Sequence, residues 1–238
     1  MKKKHNIREL IYVNKHEIDD ACFYSHGIEF YEFMSCVESR PDNLILLQHQ
    51  FDNADWHHRS RFDYVTKEEI NELIEDNVYR YGDFCWVDVK TEEELDQLDD
   101  QQIAELLFFG HLAKPLHKIP MARFAYYAHD DGWFNKLYVA SVEEYKVILS
   151  KVLVLKLVGL TNRAFEEIPS HISDIFLKYT KEGLFIDLSK THKSKMEIKI
   201  PLAVVGQYRD MDTVIELQKE TRDYKHWLVY SDSAWQLI

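Results

Sequence analysis

Glycine and proline are scarce, seven and five residues in a chain of 238, and no low-complexity tract occurs. That scarcity argues against flexibly linked modules or a disordered tail. Cysteine is scarce too. Cys22, Cys36 and Cys85 are odd in number and show no paired spacing, which argues against a disulfide framework or a Cys-type zinc site and suits reduced thiols in a cytoplasmic protein. Long apolar runs are missing: the longest, Val152–Leu160 with Lys156 inside it, is about half of what a membrane span requires. The start, MKKKHNIREL, is basic, but Arg8 and Glu9 interrupt any apolar region, so export is not expected. Gly-x-Gly-x-x-Gly, Walker, Gly-x-Ser-x-Gly, His-Glu-x-x-His and His-x-His patterns are all absent. The common phosphate-cradling loops, the serine elbow and the zinc helix therefore have no support.

What is present is a globular composition with 46% apolar residues, enough to bury a substantial core. Charge is unevenly placed. Between Asp63 and Glu105 stand fifteen acids against three bases, Lys67, Arg80 and Lys90, a difference equal to the whole formal net charge of −12. Such a field repels nucleic-acid backbones and anionic membranes and steers a basic protein partner toward it. The plainer reading is a set of solvated helix faces with first-turn acids favoured by the helix dipole.

Three capping boxes punctuate the chain, at Thr66–Glu69, Thr91–Glu94 and Ser141–Glu144. The first two predict helices from Thr66 and from Thr91, the latter restarting near Asp99 or Asp100 and running to about Leu112. The third predicts a helix to about Ser150, beyond which Val152–Val158 fits helix or strand equally. Lys15–Glu38 reads as containing a helix with Ile18, Ala21 and Cys22 on one face and a break at Gly27. Strands are expected at Leu44–His49, Val78–Val89, Leu184–Leu188, Met196–Val205 and Trp227–Tyr230. Further helices are expected after Pro169, ending before Gly183, and near Asp212–Glu220. Clustered strands between isolated helices point to an α+β fold, mainly antiparallel sheet with helices packed on it. Thr161–Ile168 is the best boundary between a larger lobe, 1–160, and a smaller one, 161–238.

The fold is expected to be built around an aromatic β-hairpin, Met121–Val139, bent at Asp131-Gly132, the strongest short-range hairpin signal. A two-residue loop sets Tyr126 opposite Leu137 and Phe124 opposite Val139. One face then carries Phe124, Tyr126, Ala128, Leu137 and Val139 and belongs to the core. The other carries Tyr127, His129, Phe134, Lys136 and Tyr138, and is either covered or lines a cleft.

Two functional readings follow. Acids beside aromatics suggest a protein-binding or regulatory module of the inhibitor or immunity kind, with Tyr79, Tyr81, Trp86, Tyr127, Phe134 and Tyr138 as interface anchors. Alternatively, His57, His58, His111, His129 and Asp130 gather in loops or at strand ends and offer imidazole and carboxylate ligands for a metal-dependent hydrolase, with His129, Asp130, His57 and His58 as its catalytic groups. No spacing motif supports that second set, and no cofactor is expected.

Overall fold

The structure is a computed structural model, and it describes residues 7–16, 21–47, 62–75, 84–107, 122–128, 133–221 and 223–238. Twelve strands join in one sheet: β1 (Leu10–Lys15), β2 (Cys22–His26), β3 (Asn43–Leu47), β4 (Phe62–Val65), β5 (Phe84–Val89), β6 (Phe124–Ala128), β7 (Phe134–Val139), β8 (Leu184–Asp187), β9 (His192–Lys193), β10 (Glu197–Val204), β11 (His226–Ser231) and β12 (Ala234–Leu237). Their order is β12-β11-β10-β8-β1-β2-β7-β6-β5-β3-β4, with β9 paired to β10. Every pairing is antiparallel, so the expected α+β class with a mainly antiparallel sheet is what the chain forms.

The hairpin lies inside this sheet with the register its alternation dictates. Phe124 faces Val139, Tyr126 faces Leu137 and Tyr127 faces Lys136. Neighbours flank it on both sides, β5 beside β6 and β2 beside β7. A shift of one residue would exchange the two faces wholesale, which is why a half-apolar pattern fixes the register so firmly.

Helices α1 (Phe30–Cys36), α2 (Lys67–Glu75), α4 (Val142–Thr161) and α5 (Ser170–Thr180) supply the main core together with one face of the sheet. Phe33 of α1 packs edge-on to Phe124, and Tyr145 of α4 stacks on Phe23 at 4.0 Å. Each fully buried aromatic or aliphatic side chain here contributes roughly 1.5–3 kcal/mol. Residues 142–161 are one continuous helix, which decides the Val152–Val158 ambiguity. Its apolar residues are not confined to one stripe because α1, α5 and the sheet enclose it on several sides. Ser141 caps it by accepting the Glu144 N–H. Likewise Glu69 reaches back to the backbone N–H and hydroxyl of Thr66 at the start of α2.

Two local readings are corrected. Cys22–His26 is a strand and not part of a helix, because pairing with β1 and β7 outweighs any helical period in so short a run. Gly27 ends it in the left-handed region, φ 81°. After Thr91 the chain makes a 3-10 helix, Glu92–Gln97, with Glu94 reaching back to the Lys90 N–H. The α-helix restarts at Asp100, as expected, as α3 (Asp100–Leu107), where Asp99 and Gln102 form the reciprocal box. A last helix, α6 (Met211–Glu220), is capped by Asp210.

Thr161–Ile168, expected as a boundary, spans the end of α4 and most of the connection to α5. The sheet crosses it, since β8 pairs with β1, and the main core draws residues from both sides. Among the described residues no helix is long and apolar enough to cross a membrane.

Candidate functional site

The second face of the central strands has a different chemistry from the first. Alternation brings Tyr12 and Asn14 of β1, Tyr24 and His26 of β2, Phe134, Lys136 and Tyr138 of β7, and Tyr127 of β6 to the same side. All are buried, His26 and Lys136 at 0% exposure. Across the strands Tyr12, His26 and Phe134 stand in one row, and Asn14, Tyr24, Lys136 and Tyr127 in the next.

Tyr12 ties this face to the segment that follows β10. Its hydroxyl donates to the Gly206 carbonyl at 2.8 Å and accepts from the Asn14 amide at 3.0 Å and the Tyr208 N–H at 2.6 Å. Asn14 also donates to the Tyr208 carbonyl. That segment lies so close to the loop after α5 that a Cβ on Gly183 would meet the Gly206 oxygen at 1.8 Å. Glycine is required at 183 by contact as well as by its φ of 84°. Arg209 then lies over the Tyr24 ring, 5.1 Å from its centroid. Burial, followed by the Cys22 thiol, pushes the Tyr24 phenol up to about 12, against the pull of Arg209.

His26 is the unusual member. Its ring sits 5.8 Å from Tyr12 and 5.0 Å from Phe134, and neither ring nitrogen has a hydrogen-bond partner among the described residues. Burial drives its pKa down to about 4, with Asp210 pulling the other way. The imidazole is therefore neutral near neutral pH, able to donate from one nitrogen and accept at the other. The sequence reading missed Tyr12, Asn14, Tyr24 and His26. The alternation in Leu10–Lys15, with Tyr12 and Asn14 two apart, was the available signal.

The residues singled out from sequence fall in three groups. Tyr127, Phe134 and Tyr138 share the buried second face. Trp86, expected as an interface anchor, is instead fully buried on the first face, stacked on Tyr126 at 5.6 Å and edge-on to Phe30. Aromatic side chains on a strand covered on both faces are core whichever way they point. Tyr79, Tyr81, His57, His58, His111, His129 and Asp130 lie outside the described residues. Among the described residues no three His, Cys, Asp or Glu side chains come together to hold a metal. The three cysteines are buried, and no disulfide forms among the described residues.

The acidic segment surrounds the β3–β4 end of the sheet from both sides. Ile70, Leu73 and Ile74 seat α2 on the first face, and Leu95 and Leu98 seat the following 3-10 segment on the second. Outward from these apolar anchors stand Asp63, Glu68, Glu69, Glu72, Glu75, Glu92, Glu93, Asp96, Asp99 and Asp100, all exposed. Burial first, then Glu92, Glu93 and Glu94, raises the Tyr64 phenol, so these charges act on the strand beside them. Comparison of the chain with protein-family models, curated proteins and solved structures finds no match.

Proposed function

We propose that this chain is a protein-binding module of regulatory or inhibitory kind, and that the acidic elements around the β3–β4 end of its sheet receive a basic partner. One observation carries this reading: ten exposed carboxylates stand on β4, α2, the 3-10 segment and the start of α3, and apolar residues anchor α2 and the 3-10 segment on opposite faces of one sheet end. Anchored charges present a field of one sign at fixed positions. Such a field raises association rates with basic surfaces and disfavours acidic ones. Oligolysine is the simplest probe. A fluorescent oligolysine peptide is expected to bind the full chain with an affinity that falls steeply with salt. Glu68→Lys, Glu72→Lys and Glu93→Lys together should abolish that binding without changing thermal stability by more than about 1 kcal/mol, since exposed charges contribute little to folding. Salt-insensitive binding, or equal binding by the triple variant, would overturn the proposal.

A further inference from the structure

Two of the three bases of the acidic segment come together. Lys67 and Lys90 converge with Arg40 and Arg123 on one cavity of about 470 Å³, whose other polar members are Ser39, Asp42 and Asp88. Four cations against two carboxylates make this a positive site on a chain of net charge −12.

Its walls are held in place. Arg123 donates to the Ser39 carbonyl at 2.6 Å and the Ser39 hydroxyl at 2.8 Å, pairs with Glu144 at 2.9 Å and lies over the Phe124 ring. Its Nε is nevertheless buried without a hydrogen-bond partner among the described residues. Arg40 is oriented by the Asn71 side chain, Lys67 pairs with Asp42 at 3.2 Å, and Asn43 holds the Lys90 carbonyl. Arg40 and Lys90 have no carboxylate partner among the described residues. At the inner wall Asp88 accepts the Phe124 N–H. Burial raises its carboxyl to about 6, against the lowering effect of Phe124 and Arg123.

We propose that this cavity is a binding site for a small oxyanion, a molecule bearing a carboxylate or a phosphate-type group, with Arg40 and Lys90 as its principal cations and Arg123 as a fixed donor. Guanidinium groups present paired N–H donors that match a planar or tetrahedral oxyanion, and the volume lies within the range that admits a small metabolite. The surrounding acids favour a compact ligand of low charge over a polyanion, because a nucleic acid would have to cross their field. The charged groups lining the cavity with Asp88 are Arg40, Asp42, Lys67, Lys90 and Arg123. Protonation of Asp88 removes a negative charge facing the ligand, so affinity rises as pH falls through about 6.

Calorimetric titration of the full chain with sulfate and, separately, succinate tests this, sulfate keeping its charge across the range and the two probes separating tetrahedral from carboxylate recognition. Saturable binding of at least one is expected. Arg40→Gln and Lys90→Gln should each weaken it about tenfold, the loss of one charge-assisted hydrogen bond, while Lys178→Gln on α5 leaves it unchanged. Both side chains are exposed, so circular dichroism should show the variants folded. Sulfate should bind more tightly at about pH 5 than at pH 7, and Asp88→Asn should remove most of that difference. Absence of saturable binding by both probes, or binding indifferent to Arg40→Gln and Lys90→Gln, overturns the site. An unchanged pH dependence in Asp88→Asn overturns the role of Asp88.

Discussion

A single buried histidine shows how a side chain can be costly in one protonation state and tolerated in the other. His26 has an ordinary value of 6.5 and is lowered to about 4 by burial between Tyr12 and Phe134. Between those values the unfolded chain binds a proton that the folded chain refuses. Stability contributed by the neutral ring is complete above about pH 6.5 and is lost as pH falls toward 4. Asp88 works in the opposite sense: its raised carboxyl costs stability as pH climbs from 3.8 toward 6, so the two offset each other in their common range. His26→Phe keeps an aromatic ring and removes two unsatisfied nitrogens. It should gain about 1 kcal/mol at neutral pH, and its stability should fall less on acidification than that of the parent. Urea unfolding at a series of pH values measures both, and an equal acid loss in the two proteins would refute the account. None of this was legible in the sequence, because a histidine in Cys22–His26 carries no mark of how deeply its strand will be covered.

Elements show the reverse, with local signals that mostly sufficed. The hairpin register followed from alternation and a turn, and the starts of α2 and α4 followed from a hydroxyl residue with a glutamate three places on. Where a run was apolar on all sides, as in α4, local pattern did not choose between helix and strand, and gave no reason for Lys156 in its midst. The tertiary structure explains that lysine: its ammonium meets Glu32 of α1 at 2.7 Å, with the two side chains 3% and 16% exposed. Glu32 also holds the Glu29 N–H in the capping box of α1, while burial, the largest influence, raises its carboxyl. Breaking such a pair from one side leaves a buried charge uncompensated. Lys156→Met should therefore cost about 3 kcal/mol in urea unfolding, and adding Glu32→Gln, which retains an acceptor for the cap, should restore more than half of it. A single variant as stable as the parent would show that the pair is not a determinant of the helix packing.

At the scale of the whole molecule the sheet's connectivity matters most. β1 sits near the middle of the strand order, with β2 on one side and β8 on the other, although β8 begins at Leu184 and β1 ends at Lys15. The chain buries Leu10, Ile11, Tyr12 and Val13 completely. Ending the chain after Thr161 removes β8, opens one edge of β1 and uncovers those side chains, which invites aggregation through an unpaired strand. That truncated chain is expected to be recovered insoluble or molten, whereas a cooperative unfolding transition in it would show that residues 1–161 fold as an independent unit. By itself the sequence determined the α+β class, the hairpin register, the starts of α2 and α4 and the concentration of acids in one segment, since each rests on spacing of a few residues or on composition. Only the tertiary structure decided that Trp86 is core, that His26 is buried and that Arg40, Lys67, Lys90 and Arg123 meet in one cavity. Those outcomes depend on strands and helices far apart in the chain coming together, and no local period records the partner that will cover a face.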